Sequence, residues 1–178
     1  MIHLARHGQT AYNAEGRFQG HLPVPLDDTG RAQAAELAET AAGVDVRSLW
    51  CSPLERARET AAIVGSRIGL EPADDPRFAE TDTGDWTGRS FAEVRAEDPE
   101  GFRRFQVSDP GFRYPGGESF AEQSARVQAG LAELRANPAA LPALVVCHRG
   151  VIRLALAAQT GDPSAGGREI PNAALVAL

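Results

Sequence analysis

The stretch Leu144-Val145-Val146-Cys147-His148-Arg149-Gly150-Val151 decides the fold. Its first four residues are continuously apolar, as in a strand buried on both faces. Three polar or small residues follow, and Val151 to about Gln159 then reads as a helix. The beginning of the chain repeats the pattern: the mostly apolar Ile2-His3-Leu4-Ala5 stops at Arg6-His7-Gly8, a strand entering a loop. Arg47 to Cys51 is a further strand candidate. After it, Ser52 is expected as a helix N-cap, with Pro53 as first helical residue and Glu55 closing a capping box, in a helix that runs to about Ile68. Further out, the Ala-rich Gly30–Ala42 predicts a helix, and Ala14–Asp28, punctuated by Gly16, Gly20, Pro23 and Pro25, predicts a long loop. Ser90–Glu97 predicts a short helix ending before Pro99, and 109–117 a loop. Ser119 and Glu122 form a capping box that opens a helix with Phe120, Val127, Leu131 and Leu134 on one face. Ala173–Leu178 closes the chain as a strand. This alternation predicts an α/β layered fold with a mostly parallel sheet. Such folds bind ligands beyond the carboxyl ends of their strands. Three of those ends carry polar groups: Arg6-His7, Ser52 with Arg56, and His148.

Composition narrows the chemistry. The chain has 178 residues, 43% hydrophobic and 24% charged, with a formal net charge of −6. It is long enough to bury a sizeable core, and its acidity argues against a generic nucleic-acid or polybasic membrane binder. All 18 basic residues are Arg. Without Lys there is no Schiff-base chemistry and no Lys-dependent phosphate loop, so anion recognition falls to guanidinium forks. Cys51 and Cys147 stand too far apart for a C-x-x-C motif. The first residues lack the apolar stretch of a signal peptide, and the longest apolar run, Ala173–Leu178, is too short to span a bilayer. A cytoplasmic location with reduced thiols is expected.

Five ordered segments carry a resemblance. They are Leu4-Ala5-Arg6-His7-Gly8-Gln9-Thr10-Ala11-Tyr12-Asn13, Pro25-Leu26-Asp27-Asp28-Thr29-Gly30-Arg31-Ala32-Gln33-Ala34, Ser52-Pro53-Leu54-Glu55-Arg56-Ala57-Arg58-Glu59-Thr60-Ala61, Phe78-Ala79-Glu80-Thr81-Asp82-Thr83-Gly84-Asp85-Trp86-Thr87-Gly88 and Val146-Cys147-His148-Arg149-Gly150-Val151-Ile152-Arg153. In register and across nearly the whole chain, they resemble the histidine phosphatase superfamily, which includes cofactor-dependent phosphoglycerate mutase and many phosphatases. The resemblance implies one domain over residues 1–178: a three-layer sandwich with helices on both faces of the sheet and a small cap insertion at about 86–117. It implies that His7 is the nucleophile, that Arg6, Arg56 and His148 hold the phosphoryl oxygens, and that Glu80 is the acid. Asn13 and the loop through Gln19 and Gly20 would line the phosphate and substrate side. No cofactor and no metal are implied. The expected partner is a small-molecule phosphate monoester, with no nucleic acid or membrane, and the expected state is monomer or homodimer.

These residue types suit the chemistry. A phosphomonoester brings nearly two negative charges, and Arg forks with a His neutralise them and hold the oxygens for in-line attack. A neutral imidazole attacks without first losing a proton, and its adduct divides one hard step into two. An acid such as Glu80 is needed because an alkoxide leaves poorly. The same site could return the phosphoryl group to substrate, as a phosphoglycerate mutase. Against this, mutases of the family resemble a longer chain. A non-catalytic phospho-ligand module is the remaining alternative. Short length and Pro115-Gly116-Gly117-Glu118-Ser119 look most like the broad-specificity and α-ribazole-phosphate phosphatases.

Other polar residues receive plainer readings. His3 and His7 have the i, i+4 spacing of a zinc pair, but on a strand and without the accompanying Glu. His21 reads as a loop surface residue, Arg103-Arg104 as a solvated helix face, Trp86 as packing, and Cys51 and Cys147 as core residues. Glu118 either caps a helix start or reaches the pocket. Arg149 stands where many relatives carry Gly, and either points to solvent or adds a phosphate or carboxylate contact. Thr87 stands where Glu is common.

Overall fold

A computed structural model describes residues 1–161 and 169–178. The remaining residues fall between the last described helix and the last strand. Five strands, β1 (Ile2–Arg6), β2 (Ser48–Cys51), β3 (Pro72–Asp74), β4 (Ala143–Cys147) and β5 (Leu175–Ala177), form one sheet in the order β3-β2-β4-β1-β5. All neighbours are parallel except β5, which runs antiparallel to β1. Seven α-helices accompany them among the described residues: α1 (Ala11–Glu15), α2 (Asp28–Ala42), α3 (Glu55–Ile68), α4 (Phe91–Glu97), α5 (Pro99–Gln106), α6 (Phe120–Ala136) and α7 (Arg149–Thr160).

The central strand β4 is buried at every position, and its alternation divides the core. Ala143, Val145 and Cys147 pack with Val127, Leu131 and Leu134 of α6 and Val151, Ile152 and Ala155 of α7. Leu144 and Val146 pack with Leu37, Ala38 and Ala41 of α2 and Ala57, Ala61 and Val64 of α3. Burying both faces removes apolar area from water at about 25 cal/mol per Å², which makes this the strand on which the three layers depend. The expected α/β architecture, with helices on both faces, is therefore present. A third cluster is aromatic. Phe18, Trp86, Phe102, Phe105, Phe112, Tyr114 and Phe120 pack edge to face or tilted around Val94, and Trp86 is packing, as expected.

Local readings fared unevenly. Ser119 is the N-cap of α6, with Glu122 completing the box. Ser52 is not a cap: α3 begins at Glu55 after Leu54, with no side-chain cap, and Ser52 is used elsewhere. Helix α5 carries the Arg103-Arg104 face expected of a helix, but it starts at Pro99, which reads as a stop; here it is a first-turn residue behind the Asp98 cap, where its missing N–H costs nothing. Helix α1 and strand β3, five and three residues long, are shorter than a periodic pattern can reveal.

Candidate active site

Strands β2, β4 and β1 are adjacent and parallel, so their carboxyl ends deliver Ser52, His148 and His7 to one edge of the sheet. The first turn of α3 adds Arg56. His7 leaves β1 with its backbone N–H on the carbonyl of Cys147 at 3.0 Å. Its carbonyl accepts from Asn172 Nδ2 at 3.1 Å and from the Ala173 N–H at 3.2 Å. The following loop is pressed against α2. A Cβ on Gly8 would lie 2.3 Å from the Gly30 carbonyl, and one on Gly30 would lie 2.0 Å from that of Gln9. Glycine at both places is thus a packing requirement of the His7 loop.

The His7 ring is buried, and its Nδ1–H donates to the Gly8 carbonyl at 2.6 Å. A carbonyl only accepts, so Nδ1 keeps the proton and Nε2 carries the lone pair. The His148 ring lies 5.1 Å away, fully buried. Ser52 Oγ accepts from the Leu54 N–H at 3.2 Å and is 2.7 Å from His148 Nε2. The Ser52 proton has no other described acceptor, so it goes to Nε2 and His148 carries its own proton on Nδ1. Burial, reinforced by Arg56, holds both imidazoles well below their ordinary range, and Arg6 adds to the effect at His7. Both rings are neutral at neutral pH.

Arg56 is almost wholly buried. It donates from Nη2 to the Gly20 carbonyl at 2.8 Å and from Nη1 to that of Leu22 at 3.2 Å. Arg6 donates from Nη1 to Ile170 O at 2.7 Å. Burial lowers both to about 10, with the Arg149 charge contributing at Arg6; both stay charged at pH 7. At this edge three buried nitrogens find no partner among the described residues: Arg6 Nε, Arg56 Nε and His148 Nδ1. Unpaired buried donors are costly, and this trio beside the His7 ring fits an anion rich in acceptor oxygens.

Glu80 Oε1 accepts from the Thr81 N–H at 2.9 Å and from Gln123 Nε2 at 3.3 Å. Its backbone carbonyl is held by Arg126 Nη2 at 3.1 Å and His21 Nε2 at 2.7 Å. Arg126 also pairs with Glu118. Glu118 therefore neither caps α6 nor lines the main cavity, and the exposed His21 braces the acid's backbone. Gly150 packs against Glu80: a Cβ there would sit 2.4 Å from Oε1 and 3.2 Å from Gln123 Nε2. We expect Gly150→Ala to lower kcat about 100-fold through carboxylate displacement. The melting temperature should hold or rise, since Ala is the better helix former. A kcat within twofold of the parent would contradict this packing.

Arg6, His7, Asn13, Gln19, Gly20, Arg56, Glu80 and Arg149, all expected from the sequence, line one cavity of about 570 Å³. His148 lies behind it. Asn13 and Gln19 are engaged with the loop itself, because Asn13 Oδ1 accepts from Thr10 and Asn172 and Gln19 Oε1 accepts from Thr10 Oγ1. Thr87 bonds Thr83 through their hydroxyls at 2.7 Å beneath Gly20, which accounts for a threonine there. Arg103 and Arg104 pair with Glu100 and Asp109, away from the cavity. Cys51 and Cys147 are buried free thiols in the core. Sequence reasoning missed Gln123, Arg126, Tyr114 and Arg153. The available signal was a Gln in phase with Phe120 and Val127 on the apolar face of α6. Among the described residues, no helix is long and apolar enough to cross a membrane.

Such an arginine and imidazole site at the carboxyl edge of an α/β sheet is that of a phosphatase-class enzyme. The sequence profile of the histidine phosphatase superfamily (branch 1) matches residues 2–178, and the chain belongs to that family. A protein of Enterobacter sp. (strain 638) named "Probable phosphoglycerate mutase GpmB" is 38% identical over 150 residues, covering 83% of this chain and 69% of that one. A mycobacterial glucosyl-3-phosphoglycerate phosphatase, solved with VO3, superposes with a TM-score of 0.88 at 34% identity, covering 98% of this chain and 90% of that one. The α-ribazole phosphatase of Shigella flexneri superposes with a TM-score of 0.84 at 32% identity, covering 98% and 87%.

Proposed function

We propose that this enzyme hydrolyses small phosphomonoesters through a phosphohistidine on His7, without a metal ion. The observation that carries the proposal is the trio of unpartnered buried donors around a neutral imidazole whose Nδ1 is already committed. In the first step, His7 Nε2 attacks phosphorus and the bond to the leaving oxygen breaks. That oxygen takes the proton of the Glu80 carboxyl and departs as an alcohol. In the second step, the Glu80 carboxylate takes a proton from water while the water oxygen attacks phosphorus. The P–N bond breaks, inorganic phosphate leaves, and His7 is neutral again. Arg6, Arg56 and His148 meet the equatorial charge throughout, the role that metal ions fill in other phosphoryl-transfer sites. Transfer back to a substrate hydroxyl would use the same groups. The likeness to a protein named as a phosphoglycerate mutase favours that as the second reading.

A phosphomonoester assay after EDTA treatment tests the reading, and full activity is expected. Because burial holds His7 neutral well below the ordinary imidazole range, the rate should not fall between pH 7 and pH 6, where an ordinary histidine would protonate. Glu80→Gln should lose about 10²–10⁴-fold in kcat. An EDTA-abolished activity, or a Gln variant keeping the parent kcat, would count against the mechanism. Activity on 3-phosphoglycerate only when primed with bisphosphoglycerate would favour the mutase.

A further inference from the structure

The cavity extends well beyond the phosphoryl end. One face of α7 borders it for three turns: Arg149 and Gly150, then Arg153 and Leu154, then Ala157 and Ala158, a span of roughly 13 Å. Phe105, Pro110, Tyr114 and Phe120 form part of the opposing wall. Among the described lining residues Glu80 is the only acid, against Arg6, Arg17, Arg56, Arg149 and Arg153. Most of these arginines are committed. Arg6 and Arg56 hold backbone carbonyls. Arg17 pairs with Glu15 and donates to Gly88 O. Arg153 reaches from α7 to the end of α5, donating to Gln106 O and Ser108 Oγ. Arg149 is different: half-buried at the start of α7, it makes no hydrogen bond or ion pair with the protein among the described residues. Its charge opposes that of Arg6 and of Arg153. A guanidinium held partly out of water among like charges is unfavourable until an anion joins it.

We propose that Arg149 is a second anion-recognition residue, and that the preferred substrates are phosphomonoesters carrying another acidic group, a carboxylate or a second phosphate, seated beside the first turn of α7. The remainder of such a substrate lies along Leu154, Ala157 and Ala158, which offer apolar contact and no charge. The proposal rests on the phosphomonoester reading for the first anion. Arg149 adds the discrimination that a phosphoryl clamp alone lacks, since the clamp treats all phosphomonoesters alike.

Calorimetric titration with phosphonates, which cannot be hydrolysed, separates the two claims. The wild-type enzyme should bind 3-phosphonopropionate or propane-1,3-diphosphonate about 10- to 100-fold more tightly than propylphosphonate, the range of a charged hydrogen bond. In Arg149→Ala and Arg149→Gln that gap should close to under threefold, and Arg149→Lys should recover part of it. Equal affinities in the wild type, or a gap that survives in both neutral variants, would overturn the second anion site. The relative affinities of the two probes that carry a second acidic group identify that group. Discrimination without hydrolysis of any phosphomonoester would keep the site and sink the phosphatase reading. Hydrolysis without discrimination would do the reverse, and no binding of any probe would overturn both.

Discussion

His7→Ala is expected to lower kcat by at least about 10⁴-fold and to abolish the acid-labile phosphoenzyme formed when the parent is quenched during turnover. The size follows from what is removed. Loss of a covalent nucleophile forces water to attack directly, and the remaining cations then supply only binding and charge neutralisation. The fold should survive, because His7 is positioned by its backbone, through Cys147, Asn172 and Ala173, and its ring makes a single hydrogen bond to the adjacent Gly8 carbonyl. Quench labelling with a radiolabelled monoester, run beside a thermal melt, reads both quantities. More than a few per cent residual activity in a folded variant would refute covalent catalysis at this residue.

Arg56→Ala is the second large effect, and it should be double. The rate should fall about 10²–10³-fold, by analogy with removal of one oxyanion donor. Stability should fall as well, by about 1–3 kcal/mol for the Gly20 carbonyl left buried and unpaired, whereas the Leu22 carbonyl keeps the Val24 N–H. Arg56→Lys should restore charge but not the fork, because one ammonium cannot meet two carbonyls and a phosphoryl oxygen in the same geometry. It should therefore recover stability more than rate. Urea unfolding paired with kcat measurements separates the two losses. An alanine variant of unchanged stability and rate would remove Arg56 from both roles.

Much of this site was legible because its chemistry sits where the pattern breaks. Apolar runs that stop at Arg6-His7 and at His148 announce strand ends, and parallel strands carry their ends to one side. The errors have physical causes. Ser52 followed by Pro53 and Glu55 has the composition of a helix start, yet its hydroxyl bonds the His148 ring 96 residues away, a competitor that local propensity cannot weigh. Pro99 reads as a terminator, but Asp98 ends α4 and caps α5 at once, and proline in a first turn obstructs nothing. The aromatic residues between Trp86 and Phe120 show no period, because they pack as a cluster of edges and faces rather than along one helix stripe.

By itself the sequence determined the class of chemistry: guanidinium forks without lysine, two histidines at strand ends, and one glutamate in the motif that resembles the family. Those choices are written in residue identity and in the breaks between apolar runs. Only the tertiary structure decided how each group is held. The proton position on His148, the Gln123 contact to Glu80 and the Gly150 surface against it all depend on partners remote in the chain, and the unpaired state of Arg149 on their absence among the described residues. A hydrogen bond between distant residues leaves no periodic trace in sequence, because its energy depends on distance and angle rather than on spacing along the backbone.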